Sequence, residues 1–252
     1  MKDIKVIIDS NKQVGTDIFL MRLKGDLSEI KNPGEFIEIT IPNYYLRRPI
    51  SVHDYTNEYV DILYKVLGHG TKDLSTFVKG MKIDTLVGLG NGFDLSKSKK
   101  PLLVAGGIGI APMYALAKEF NKLGIKPILI YGARNASDIV LVDEFKELCE
   151  VYLCTDDGSK GYNGNVVSFM KENNIDYDYY YACGPHGMLK ALACAFSNGC
   201  VSLEARMGCG FGACMGCSCK TKYGNYQVAL KSCGGTKGKT YKTVIETNVD
   251  EI

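Results

Sequence analysis

Cysteines carry the sharpest chemical signal in this 252-residue chain. The stretch Cys209-Gly-Phe-Gly-Ala-Cys214-Met-Gly-Cys217 spaces three thiols as C-x4-C-x2-C, and Cys233 follows after fifteen more residues. A short run of soft thiolate ligands with a distant fourth is the pattern of a plant-type 2Fe–2S cluster. Gly208, Gly210, Gly212 and Gly216 carry no side chains, so backbone N–H groups can turn toward the sulfides. Zinc is the alternative, but it usually takes two C-x2-C pairs or a Cys/His mixture, and no His stands nearby. A disulfide framework fits less well. The chain opens directly on a strand pattern rather than a signal peptide, and Cys149, Cys154, Cys183, Cys194 and Cys200 sit in ordinary apolar or Gly-flanked contexts. Cys219 is a spare thiol and an alternative ligand.

An electron carrier needs donors and acceptors, and four further motifs offer sites for them. Arg48-Pro49-Ile50-Ser51 sets a planar cation beside a stiff Pro and a hydroxyl, a combination able to pair a diphosphate. Taken alone it reads equally as a surface turn. Gly68-His69-Gly70-Thr71 runs into a helix and offers free N–H groups to a phosphate, or is a simple turn. Gly106-Gly107-Ile108-Gly109-Ile110-Ala111-Pro112 follows a strand and opens a helix, the context that makes a Gly-rich turn a dinucleotide site. It departs from G-x-G-x-x-G at Pro112. Gly132-Ala133-Arg134 also stands where an acidic residue usually ends the second strand. Cys183-Gly184-Pro185 closes a later strand, where a small thiol beside Gly lets a flat ring approach; the bland reading is a buried Cys at a tight turn.

These motifs need a frame. Residues up to about 96 read as short β-branched and aromatic strands (4–8, 18–23, 36–41, 59–67) that suggest a small antiparallel barrel, with a helix over 74–78 capped by Thr71 or Asp73. Ser96-Lys-Ser-Lys-Lys100 reads as a linker. Beyond it, strands at 101–105, 127–131, 151–155 and 179–183 alternate with helices at 112–123, 143–149, 165–173 and 187–198, the signature of βαβ units and a parallel sheet. The residues after about 201 show no core of their own, and a bound metal group can substitute for one. The expected organisation is a multi-domain β plus α/β protein: an antiparallel barrel over 1–97, a nucleotide-binding parallel-sheet domain over 98–200, and a small cluster module over 201–252. A net charge of +2 gives no electrostatic case for nucleic acid, and no apolar run is long enough to span a membrane.

In combination, R-P-x-S, G-G-x-G-x-A-P and C-G-P resemble the ferredoxin-reductase-like flavoprotein superfamily. With the C-terminal cysteines, and with Leu89-Gly-Asn-Gly-Phe93 and Tyr181-Ala-Cys-Gly-Pro185, the chain resembles the electron-transfer subunits of class B dihydroorotate dehydrogenases over about residues 3–233. The resemblance implies FAD held by Arg48, Pro49, Ile50, Ser51, Leu63, Lys65, Gly70 and Thr71. It implies NAD flanked by Gly107, Gly109 and Cys183, and a 2Fe–2S cluster on Cys209, Cys214, Cys217 and Cys233. It implies no catalytic side chain. His53, His69 and His186 are expected to be structural or solvated, with His69 near FAD. It further implies an FMN-containing catalytic partner in a two-plus-two heterotetramer, a cytoplasmic setting and a role in pyrimidine biosynthesis. Thr155-Asp156-Asp157 stands where related reductases hold a 2′-phosphate with Ser-Arg, which points to NADH over NADPH, while Arg134 points the other way. The tail after Cys233 reads Gly-Gly-Thr-Lys-Gly-Lys, where the family has close to K-x-G-P-V-F, and this leaves room for relatives of the same plan. Those are the small subunits of sulfide dehydrogenases, of NADH-dependent ferredoxin:NADP oxidoreductases and of hydrogenase-associated diaphorases. A zinc-stabilised binding or redox-sensing module is the distant alternative.

Overall fold

In the computed structural model, the described residues are 1–204, 207–214, 216–221, 224–227 and 244–247. The first six strands are β1 (Lys2–Gly15), β2 (Ile18–Lys24), β3 (Phe36–Ile39), β4 (Arg48–Tyr55), β5 (Tyr59–Lys65) and β6 (Lys82–Leu89). They close an antiparallel barrel in the order β1-β2-β5-β4-β3-β6. Its interior is filled by the inward residues of each strand, among them Val6, Ile8, Met21, Leu23, Ile37, Ile39, Val52 and Ile62. Register shifts in β1 between Ile8 and Ser10 and between Gln13 and Gly15 bend that long strand so that it pairs with both β2 and β6.

Two barrel strands go beyond the sequence expectation. Arg48-Pro49 opens β4, a strand missing from the sequence reading, where Pro, lacking an N–H, is tolerated at a strand's first positions. β6 alternates Ile83, Thr85 and Val87 with exposed Lys82 and Asp84, and its partner β1 lies some eighty residues away in sequence. The short helix α1 spans His69–Ser75, not 74–78. Thr71 sits inside its first turn, where Oγ1 accepts from Leu67 N at 2.9 Å and Gly68 N at 3.3 Å, which starts the helix early.

Strands β7 (Pro101–Gly106), β8 (Ile128–Ala133), β9 (Glu150–Thr155), β10 (Tyr162–Asn163), β11 (Tyr179–Cys183) and β12 (Gly199–Ser202) build the second sheet. Helices α2 (Met113–Lys122), α3 (Val142–Leu148), α4 (Val166–Glu172) and α5 (His186–Ala195) connect them. Sheet order is β10-β9-β8-β7-β11-β12, all parallel, with Val244–Thr247 antiparallel on the β12 edge. The chain winds outward from β7 to β10 and then crosses back to β11 on the other side of β7, which makes a crevice at the carboxyl ends of β7 and β11. The sheet runs on past the cysteine-poor half, so the expected boundary between residues 200 and 201 falls inside β12. A two-stranded ribbon, Ser218–Thr221 with Gly224–Gln227, follows the cysteine loop.

Barrel and sheet share one core. Ile18, Leu63 and Phe93 from the barrel side pack with Leu103, Leu116, Phe120 and Tyr181. Helix α2 lies on β4, where Lys118 Nζ meets the buried Asp54 carboxylate at 2.6 and 2.8 Å and His53 Nδ1 bonds Ala111 O at 2.9 Å. The His53 ring also stacks on Tyr114 at 4.7 Å. No helix among the described residues is long and apolar enough to cross a membrane.

Candidate functional site

Two clefts open along the seam between barrel and sheet. The barrel cleft encloses about 870 Å³ open to solvent. Its walls are the start of β4 (Pro49, Ile50, Ser51), the end of β5 (Leu63, Tyr64, Lys65), then Leu67 and Thr71. Ile108 and Ala111 close it from the sheet side, and Leu203, Glu204 and Met207 from the approach to the cysteine loop. Most of these residues are apolar and the few polar groups sit at its edges, which suits a flat aromatic ring.

Arg48 directly precedes Pro49 of this wall, and its guanidinium packs against Gly70, beside Thr71 of the same wall. Its guanidinium lies 4.7 Å from the Tyr44 ring centroid and donates to Leu46 O. Among the described residues it forms no ion pair, so its charge is available to an anion. Gly70 makes this placement possible, since a Cβ there would lie 2.8 Å from Arg48 Nη2. The Thr71 hydroxyl is spent on its own turn, also donating to Gly68 O at 3.1 Å. An arginine with no ion pair among the described residues, next to an apolar cleft, fits the diphosphate and ring of a flavin dinucleotide.

The sheet cleft encloses about 1110 Å³ around the carboxyl ends of the strands. Gly106, Gly107, Gly132 and Gly184 form much of its floor, with Ile108, Arg134, Asp156, Pro185 and Met188 on its sides. Gly107 faces the cleft with φ +53° and nothing near its Cβ position. Gly109 is buried behind it, where a Cβ would lie 2.5 Å from the Cys183 carbonyl carbon and 2.7 Å from Gly184 N. The glycine lets the turn before α2 touch the turn after β11, and so draws the two halves of the crevice together.

Cys183 lies in that wall with no exposed surface. Its Sγ is 3.9 Å from Glu204 Oε1. Burial first, and then the Glu204 carboxylate, push the thiol well above its ordinary pKa, so it stays protonated. Lys65, Leu67, Ile108 and Glu204 line both clefts, so the two clefts adjoin. Lys65 is anchored there by Asp138, at 2.9 Å. Glu204 and Met207 carry no motif, and the sequence offered no signal for them; Ile108 lies inside the Gly106–Pro112 motif, but nothing in that motif pointed to its place in both clefts. His69 and His186 are exposed, and His53 is buried in the α2 contact.

The cysteine loop begins two residues after Met207. Cys209 is half-buried, Cys214 exposed and Cys217 buried. Cys214 N–H donates to Cys209 Sγ at 3.4 Å, and Cys214 Sγ sits over backbone, 3.2 Å from a Cβ position at Gly208 and 3.5 Å from one at Gly216. Partial burial raises the Cys209 pKa, but N–H groups from Cys214, Phe211 and Ala213 outweigh it and hold this thiol below its usual range. Gly210 and Gly212 take φ +67° and +85°, which turns those N–H groups inward. Three thiols on a loop of inward amides are a donor set that fits an iron–sulfur cluster. Among the described residues no three His, Cys, Asp or Glu side chains converge on one point. Cys233, the fourth expected ligand, lies outside those residues.

Barrel, crevice and shared wall define an oxidoreductase of the flavin- and NAD-binding ferredoxin-reductase class. Residues 103–193 match the oxidoreductase NAD-binding domain family. The structure resembles that of an NADH-dependent reduced ferredoxin–NADP oxidoreductase, with a TM-score of 0.79 and 29% identity over 87% of this chain and 83% of that one. Phthalate dioxygenase reductase shares the fold, with a TM-score of 0.61 and 23% identity over 75% of this chain and 63% of that one. In sequence the chain is 44% identical to the dihydroorotate dehydrogenase B (NAD+) electron transfer subunit of Fusobacterium nucleatum, over 88% of this chain and 91% of that one. It is 38% identical to the protein of the same name from Lysinibacillus sphaericus, over 86% and 88%. The chain belongs to the family of dihydroorotate dehydrogenase B electron transfer subunits.

Proposed function

We propose that this chain passes electrons from an FMN-containing, dihydroorotate-oxidising partner subunit to NAD+, in the cytoplasm and in the service of pyrimidine biosynthesis. The observation that carries the reading is contiguity. The barrel cleft shares Lys65, Leu67, Ile108 and Glu204 with the sheet cleft and is walled on another side by Met207, just before Cys209. FAD in the barrel cleft and a 2Fe–2S cluster on the cysteines would supply the exchange between single electrons and a hydride pair.

The chain's own residues have binding and screening tasks. Arg48 would pair the diphosphate, with Gly70 giving it room and Thr71 shaping the turn beside it. Pro49, Ile50, Ser51, Leu63 and Lys65 would hold the ring and its edge. Gly107, Gly109 and the wall containing Cys183 would seat NAD. Cys209, Cys214, Cys217 and Cys233 would hold the cluster, with Cys219 the other candidate for the fourth place. No side chain is asked to act as a nucleophile. Exposed Cys214 leaves one side of the loop open to a partner, and the family resemblance points to a heterotetramer of two catalytic and two electron-transfer subunits.

The test uses the complex isolated without oxygen from its native cells. Dihydroorotate should drive NADH formation, and removal of this chain should abolish it. A second reading, a small subunit of an NADH-dependent ferredoxin:NADP oxidoreductase, is favoured by the 0.79 TM-score likeness. It gains if the complex carries flavin and iron yet ignores dihydroorotate. Zinc without iron would exclude both.

A further inference from the structure

Asn11 lies in β1, outside every motif, and is half-buried against the end of α1. Its Nδ2 faces three carbonyls: Leu74 O at 3.2 Å, Ser75 O at 3.3 Å and Phe77 O at 3.0 Å. Its Oδ1 accepts from Tyr64 OH at 3.0 Å. The amide can sit only this way round, because a reversed Oδ1 would face three carbonyl oxygens. The last carbonyls of a helix have no partners within it. At the end of α1, Ser75 Oγ and the cap Thr76 Oγ1 donate to Lys72 O and Asp73 O, each at 2.7 Å. Leu74 O also accepts from Phe77 N at 3.1 Å; Asn11 adds a second donor there and is the side chain that reaches Ser75 O and Phe77 O.

A second tie fixes the other side of the same helix. Tyr44 OH donates to Asp73 Oδ2 at 2.8 Å, and the Tyr44 ring carries Arg48. Seven residues make a helix too short to hold its shape alone, so these ties decide where Gly70 and Thr71 stand. Tyr64 also forms part of the barrel-cleft wall. One hydrogen-bonded chain therefore runs from the cleft wall, through Asn11, to the segment that meets Arg48.

We infer that Asn11 is a positioning residue, which locks α1 to the barrel so that Arg48, Gly70 and Thr71 form one corner selective for a flavin bearing a diphosphate over riboflavin. The inference rests on the reading of the barrel cleft as an FAD site. Asn11→Asp keeps the shape and the bond from Tyr64 but puts oxygen against the carbonyls. Asn11→Ser removes the cap without adding charge.

The full-length chain, freed of flavin, is titrated with FAD and with riboflavin by flavin fluorescence, and amide hydrogen exchange is followed over residues 69–77. Expected is a loss of FAD affinity of roughly tenfold in Asn11→Ser and more in Asn11→Asp, since one to two net hydrogen bonds are each worth about 1 kcal/mol. Riboflavin affinity should stay within about twofold, and exchange over 69–77 should rise while the rest of the barrel stays protected. If FAD and riboflavin weaken together, or FAD affinity does not change, Asn11 has no such role. Should Asn11→Asp fail to fold, Asn11→Ser with its exchange pattern decides. If the unmodified chain binds riboflavin and FAD equally, the inference falls while the flavin site stands; if it binds neither, the flavin reading itself has failed.

Discussion

The barrel cleft takes its shape from side chains on strands, Pro49, Ile50, Leu63 and Tyr64, with Arg48, which has no ion pair among the described residues, just before them. The sheet cleft beside it is shaped by side chains that are missing, at Gly106, Gly107 and Gly132 on its floor and Gly109 behind. The first can be altered in small steps, because each contact is separate. The second has little tolerance at Gly109, where an added atom meets the Cys183–Gly184 peptide, which cannot rotate away. The two should therefore respond differently to substitution.

Gly109→Val tests the intolerant side and has the largest expected effect. Its Cβ would overlap the Cys183–Gly184 peptide, and no rotamer relieves a clash with main chain. NADH oxidation should fall by about 1000-fold, with bound flavin retained if the barrel cleft is independent. Equal loss of flavin and nucleotide would mean that the clefts form one unit and that the contrast is false.

Arg48→Ala probes the other side. Removing a charged donor that serves a diphosphate costs about 1.5–3 kcal/mol, or roughly 10- to 100-fold in FAD affinity. Pyridine-nucleotide affinity should barely move, since Arg48 is not among the residues lining the sheet cleft. Arg48→Lys should fall between, because Lys keeps the charge but not the planar fork. Flavin release on dilution reads the effect directly.

That contrast also sets what the sequence could reveal. Backbone-built features are local, so Gly106 to Pro112 and the Cys209 loop could be read from their spacing, as could the alternation of strands and helices after residue 101. Glu204, Met207 and Asn11 act across the fold and carry no local pattern, so they appear only once the segment after β12 and the strand β1 are brought against the barrel cleft and α1. Cys183 falls between the two cases. Its turn stands at the expected crevice, yet the thiol itself is fully buried, 3.9 Å from Glu204 Oε1. β4 was obscured by Pro49 at its start and β6 by a partner strand distant in sequence.

The seam beneath the clefts gives a pH test. His53 is almost fully buried, and burial lowers its pKa below the ordinary 6.5 despite the Ala111 carbonyl and nearby carboxylates. In the unfolded chain the ring takes a proton near 6.5, while in the folded chain it resists. The unfolded state thus binds more protons just below that pH, and stability falls as pH drops through it. The slope from one such group is about 1.4 kcal/mol per pH unit until the folded ring is also protonated. Urea midpoints measured between neutral pH and 5.5 should show it, and His53→Asn should remove that part of the slope. An unchanged slope would mean that the seam is not sensed by His53 and that barrel and sheet are less tightly joined than their shared core implies.

The smallest expected effect sharpens the character of the sheet cleft itself. Asp156 lines it at the carboxyl end of β9, whereas Asp157 is turned away, its Oδ1 accepting from Ser159 N at 3.0 Å and Ser159 Oγ at 2.6 Å. Of the two carboxylates that the sequence sets against a 2′-phosphate, Asp156 is therefore the one placed to oppose it. Arg134, exposed on the same side, would attract such a phosphate. Partly screened charges at this range are worth about 1 kcal/mol. NADH should accordingly be preferred, and Asp156→Ser should lower the Michaelis constant for NADPH about fivefold while leaving that for NADH nearly constant. Raised salt should shrink the difference, because the repulsion acts through solvent. A native preference for NADPH would assign the deciding charge to Arg134 instead, and would show that even in a cleft built from missing side chains a single charged residue at the rim sets the choice of ligand.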